Sequence, residues 1–183
     1  MGYYVRKIAR AKWTSVVDDK EGTFDREIQN YRADALANDL KTSNDTLSFW
    51  WTDSLSEDDL EPVVLINSLL GDTISKIELI CVPDEMITGY LFEQTDGDTV
   101  VTQYKNLHYN MVKLSVKMLL KFAQDVILTI LARKYEDDEE LLVKRISKTE
   151  QLQLLKKWIQ SGQLCFDDLN EKQKAALNKV LDR

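Results

Sequence analysis

Proline and glycine are scarce in this chain, two and six among 183 residues. That excludes a collagenous, linker-rich or low-complexity protein, whose composition those residues would dominate. Cysteine is as rare. Cys81 and Cys165 lie far apart in apolar surroundings and read as free core thiols rather than a disulfide. With His108 as the only imidazole, too few Cys and His residues remain for a zinc site. No Gly-rich phosphate loop and no Gly-x-Ser-x-Gly elbow occurs.

Long hydrophobic runs are also missing. The most apolar stretch, 114–132, contains Lys117, Lys121, Gln124 and Asp125. Each charge at a bilayer centre costs roughly 2.5–3.5 kcal/mol, so this stretch reads as a buried helix. No apolar run follows Arg6, Lys7, Arg10 and Lys12, as an export leader requires. The expectation is a soluble, cytoplasmic protein without a membrane partner.

What is present is ordinary for a globular chain: 44% hydrophobic and 30% charged residues. A chain of this length buries about two-thirds of its unfolded surface and needs no metal or disulfide to fold. The net charge of −7 is uneven. Residues 1–12 carry four basic and no acidic groups, and residues 13–98 carry five basic against twenty acidic. Residues 99–183 reverse the sign, with fifteen basic against eleven acidic.

Periodicity then places the elements. Residues 3–13 alternate as a strand with neither face wholly apolar, which suits a sheet edge. Residues 27–40 repeat apolar groups at helical spacing. Residues 46–52 form a strand with Leu47, Phe49 and Trp51 on one face and Ser48 and Trp50 on the other. Ser56 caps the next helix, with Asp59 three residues on as in a capping box, Pro62 tolerated near the first turn and Gly71 as a stop. Residues 76–82 are the following strand, closed by Pro83. The strand–helix–strand unit predicts a parallel pair with a right-handed crossover.

Residues 86–92 fit a strand or a helical turn, Asp96-Gly97 marks a turn, and residues 99–104 have strand propensity. Residues 105–134 predict the longest helix, with His108 near its start and a polar stripe through Lys113, Lys117 and Lys121. The acidic run 136–140 reads as a solvated loop. Residues 141–146 suit a short strand. Ser147 and Glu150 form a second capping-box signature, Gly162 ends that helix, and Asn170 caps a last one.

The predicted fold is therefore α/β, with α+β as the variant. It is a small mixed sheet with one parallel strand–helix–strand unit, a long central helix and a C-terminal helical hairpin. Residues 1–140 form the core, and residues 141–183 form the hairpin packed on it.

Three places carry chemistry. Asp53 follows the first strand of the parallel unit, and Asp84 and Glu85 follow the second. Open α/β sheets bind ligands beyond that edge, where these carboxylates suit Mg²⁺. That is the basis for a Mg²⁺-dependent enzyme acting on a phosphate ester or nucleic acid. Tyr4, Arg6, Arg10 and Lys12 interleave rings and cations as single-stranded nucleic-acid binders do, although the net charge opposes phosphate. Trp50, Trp51 and Trp158 are candidate anchors for another protein or for self-association. With no catalytic motif present, the residues favour a non-catalytic interaction or accessory protein that needs no cofactor. The enzyme and the nucleic-acid binder are the alternatives.

Overall fold

The computed structural model describes residues 2–13, 27–133 and 142–181. Residues 18–22, which the sequence marks as a loop, and the acidic run 136–140 lie outside the described residues.

Six strands form one sheet in the order β4-β5-β2-β1-β3-β6, and every pairing is antiparallel. They are β1 (Tyr3–Ile8), β2 (Leu47–Thr52), β3 (Ile77–Pro83), β4 (Leu91–Gln94), β5 (His108–Val112) and β6 (Val143–Ile146). Together with the helices the protein is a mixed α/β fold.

The expected parallel pair is corrected in an instructive way. β2 and β3 do run in the same direction and are joined by helix α2 (Glu57–Leu69). They are not neighbours, because β1 lies between them and pairs antiparallel with both. The local pattern specifies strand–helix–strand but not which remote segment fills the gap. β1 is thus central rather than an edge strand. Its Val5 is fully buried, and Tyr3 and Ile8 nearly so. Arg6 fits there because its guanidinium donates to the Asp39 carbonyl at 2.7 Å and the Ser48 carbonyl at 2.6 Å, with its charge over the Phe49 ring.

The long helix predicted over 105–134 starts late. Thr102–Leu107 is a 3₁₀ helix and His108–Val112 is β5, so His108 is a strand residue. Leu107, Tyr109 and Met111 satisfy a period of two as well as a helical one, and pairing with β2 decides between them. Lys113 adopts a left-handed φ of 57° that ends the strand. Ser115 then caps α3 (Val116–Phe122) by accepting from the Met118 N–H at 3.2 Å. A π-helical segment, Ala123–Leu128, leads into α4 (Thr129–Arg133). Among the described residues no helix is long and apolar enough to cross a membrane.

Other boundaries moved for similar reasons. The helix predicted at 27–40 is a 3₁₀ turn, Ile28–Asn30, and then α1 (Ala33–Asp39). Residues 99–104 form no strand, and residues 86–92 split between the 3₁₀ helix Asp84–Ile87 and β4. The C-terminal helices are as predicted: α5 (Lys148–Gln160) and α6 (Glu171–Leu181). α5 carries the full Ser147–Glu150 capping box. At its end Gly162 takes a φ of 74°, which a side chain would strain. Cys81 is buried in β3, whereas Cys165 is exposed rather than in the core.

One sheet face carries Leu47, Phe49, Ile80 and Met111, and Phe49 meets Phe122 of α3 edge to face at 5.9 Å. Val5, Trp50, Leu79 and Cys81 point to the other side, where α2 links the strands and α5 packs against α2. On that second face Lys7, Ser48, Leu91 and Glu93 are exposed, so the helices cover only part of it.

Candidate functional site

β2 and β3 end on one edge of the sheet, at either side of the start of β1. Tyr3 registers with Thr52 on one side and Pro83 on the other. Asp53 and Asp84 therefore flank Gly2, two strand spacings or roughly 9–10 Å apart along the sheet. The Asp84 N–H donates to the Gly2 carbonyl at 3.0 Å, and Glu85 is exposed on the 3₁₀ turn beyond. Among the described residues no three His, Cys, Asp or Glu side chains come together as a metal site requires.

Trp51 dominates this edge. Its indole N–H donates to the Asp53 carboxylate at 2.9 Å, which fixes the ring. The ring meets Tyr4 edge to face at 4.9 Å and lies 6.1 Å from Tyr109. Tyr4 in turn stacks on Phe92 at 4.1 Å and meets Tyr109 at 5.5 Å. Four strands thus contribute to one half-buried aromatic surface. Burial first, and then the neighbouring Tyr109 and Asp84, raise the Tyr4 hydroxyl pKa above its ordinary value.

A cleft of about 230 Å³ opens beside Trp51, lined also by Asp53, Asp58, Asp59, Pro62, Tyr104 and Leu107. Its floor is the junction of β2 and α2. Ser56 caps α2 by accepting from the Asp59 N–H at 3.3 Å. The Asp59 carboxylate does not return to the cap backbone as a full capping box would; it accepts from the Ser54 hydroxyl at 2.6 Å. Thr52 Oγ1 donates to the Asp59 carbonyl at 2.9 Å and ties the strand end to the first helical turn. The far wall, Tyr104 and Leu107, stands on the 3₁₀ helix Thr102–Leu107. That helix is held by the Gly97 N–H donating to the Lys105 carbonyl at 2.8 Å and by the Lys105–Asp96 ion pair at 2.6 Å. No basic residue lines the cleft.

The other predicted site residues are dispersed. Trp50 is buried on the opposite face, edge to face with His108 at 4.9 Å. Trp158 is buried; its indole N–H donates to the Glu61 carboxylate, which also accepts from Lys157 Nζ at 2.6 Å. The Trp158 ring stands 5.6 Å from Tyr104 and backs the cleft wall. Arg6 is spent on two backbone carbonyls, and burial lowers its pKa to about 10 against the pull of Asp39. Arg10 and Lys12 sit on the 3₁₀ helix Arg10–Lys12, past the opposite end of β1 from Tyr4. The interleaved pattern of residues 3–13 therefore does not form one continuous strip. His108 Nδ1 is 2.7 Å from Thr95 Oγ1, and burial lowers the His108 pKa.

Sequence reasoning placed Asp53 at this edge, with Asp58 and Asp59 opening the helix beside it, and took Trp51 only as a partner anchor. It missed Tyr104, Leu107, Tyr109 and Phe92, which arrive from segments some 40–60 residues away along the chain with no local motif. No family model matches the chain, and no curated protein or solved structure matches it.

An aromatic wall beside carboxylates is suited to cations. A Lys, Arg or quaternary ammonium group within about 6 Å of a ring face is attracted by the ring quadrupole, most strongly for Trp. Carboxylates add Coulombic attraction that exposed water attenuates.

Proposed function

We propose that this protein is a non-catalytic interaction protein that receives a cationic side chain of a protein partner in the cleft between Trp51 and Tyr104. The observation that carries the reading is the composition of that cleft: two aromatic walls, three carboxylates and no basic residue. Its volume supports a side chain rather than a cofactor, since about 230 Å³ lies below the roughly 300–1,000 Å³ of ordinary small-molecule pockets. The acidic character of residues 13–98 favours the same partner, because it steers basic segments toward this half of the protein.

The test is calorimetric titration with four short peptides that differ at one central residue: Lys, trimethyl-Lys, Arg and Gln. Saturable binding of any cationic peptide, absent for Gln and weakened in Asp53→Asn/Asp58→Asn, supports the reading. Equal binding of the Gln peptide, or cationic binding unaffected by both substitutions, refutes it. A parallel melting-temperature series with Mg²⁺ checks the enzyme alternative. Saturable stabilisation lost in Asp53→Asn would move these carboxylates to a metal-binding role.

A further inference from the structure

At the other end of the sheet, α1 and α3 enclose a second, chemically different opening. We propose that this groove docks an amphipathic helix of a partner protein whose polar face is acidic. The groove measures about 470 Å³. α1 presents Ala33, Leu36 and Ala37, and α3 presents Val116, Leu119 and Leu120. Val116 is 76% exposed and Leu120 is 40% exposed, two of the five large hydrophobic residues exposed among the described residues.

The geometry favours a helix as occupant. Ala33 and Ala37 are spaced i, i+4 on α1, and Val116 and Leu120 are spaced i, i+4 on α3, so each helix lays a ridge along one side of the groove. The small alanine ridge on one side lets a third helix approach closely, while Val116 and Leu120 meet its apolar stripe. A concave apolar trough between two helices is the surface used in helix-in-groove recognition.

Charge selects the sign of the partner. Lys41 is the one charged residue lining the groove. Lys117 follows Val116 on α3, and Lys113 precedes the Ser115 cap. All three are exposed and have no carboxylate partner among the described residues, unlike Lys121, which pairs with Asp125. Glutamates flanking an apolar stripe would meet Lys41 in the groove and Lys117 beside Val116, against the single exposed carboxylate of α1, Asp34; a basic amphipathic helix would meet the two lysines instead.

The groove is independent of the cleft. β1 begins beside Trp51, and the Ala9 N–H just after its end donates to Asp39 of α1 at 2.8 Å. Six strand residues at about 3.3 Å each separate the two regions by about 20 Å. The protein therefore presents a carboxylate-lined cleft at one end and a lysine-flanked apolar groove at the other, an arrangement fit to bridge two partner segments.

The test uses a fluorescein-labelled sixteen-residue helical peptide with Leu on one face and Glu on the other, and its Glu→Lys counterpart. Fluorescence anisotropy is expected to show saturable binding of the Glu peptide and binding about tenfold or more weaker for the Lys peptide, a difference of about 1.4 kcal/mol per decade. Leu120→Glu and Val116→Glu are expected to abolish binding without lowering the melting temperature, since both side chains face solvent. Lys41→Glu/Lys117→Glu should invert the preference between the two peptides. Binding unchanged in Val116→Glu and Leu120→Glu overturns the proposal. So does a concentration-dependent dimer in light scattering that these two substitutions abolish, which would assign the groove to a second copy. A melting temperature lowered by Val116→Glu, with no peptide binding, would mean that the chain itself fills the groove and would equally overturn it.

Discussion

A Cβ on Gly2 would lie 2.0 Å from Cζ2 of Trp51. The indole crosses the backbone there with no room for a side chain beneath it, and the cleft wall stands where it does because residue 2 is glycine. Gly2→Ala must displace either the ring or the strand start. Overpacking of this kind costs about 1–3 kcal/mol. The expected result is a lowered melting temperature together with weakened binding of the cationic peptide. Wild-type affinity in Gly2→Ala would show that the Trp51 position does not matter for binding.

Salt provides a second check on the cleft. Asp53 and Asp58 are exposed, so their attraction for a cation is screened over about 8 Å at physiological ionic strength. Affinity for a Lys peptide should fall from 50 mM to 500 mM NaCl, and Trp51→Ala should reduce it further by roughly 2- to 30-fold, the range of cation–π contributions. Salt-independent binding would point to an apolar contact instead.

Asp39 anchors α1 to the end of β1. Its buried carboxylate accepts from the Trp13 indole at 2.7 Å and from the Ala9 N–H at 2.8 Å. Asp39→Ala leaves both donors without an acceptor and should cost about 3 kcal/mol, or roughly 6–12 °C of melting temperature in a chain of this size. Chemical denaturation measures the loss. A change below half a kilocalorie would mean that water replaces the carboxylate without penalty.

The start of α5 links stability to pH. The Ser147 hydroxyl accepts from the Glu150 N–H at 3.2 Å, and the Glu150 carboxylate accepts from the Ser147 N–H at 2.6 Å. Hydrogen bonding to Ser147 holds the Glu150 pKa below its ordinary value. A depressed carboxylate stabilises the fold above its unfolded pKa, and that contribution is lost as pH falls through the folded one. Ser147→Ala should cost about 1 kcal/mol near neutral pH. It should also flatten the decline of melting temperature on acidification below the usual glutamate range. An identical acid profile in wild type and variant would exclude this pair as a contributor.

The two cysteines should differ in reactivity. Burial raises the Cys81 thiol to about 12, whereas Cys165 is exposed. Since the thiolate is the reactive form, a chromogenic disulfide reagent should titrate one thiol in the native protein and two in denaturant. Two equivalents under native conditions would mean that β3 opens readily.

Much of this was legible in the chain because it depends on near neighbours. Ser147 and Glu150 are three residues apart, so a capping box is written locally and forms as read. Gly162 ends α5 in the left-handed conformation expected of it, whereas α2 ends at Leu69 and Gly71 has no positive φ. The alternation of residues 46–52 placed Trp50 and Trp51 on opposite faces. His108–Val112 was misread because its apolar spacing satisfies two periods at once, and only the β2 ladder chooses between them. The split of Arg6 from Arg10 and Lys12 was invisible for a related reason: a 3₁₀ turn after Ile8 redirects the chain, and Asp39 lies about thirty residues away.

The sequence by itself determined where α2, α5 and α6 begin, which residues of 46–52 share a face and where charge of each sign accumulates, because caps, periodicity and composition act over a few residues. Only the tertiary structure decided that β1 enters between β2 and β3, that Tyr104 comes to stand opposite Trp51, and that α1 and α3 leave a groove between them. These are pairings between segments tens of residues apart, and they are selected by which combination buries the most apolar surface while satisfying the backbone, a quantity no local window of the chain contains.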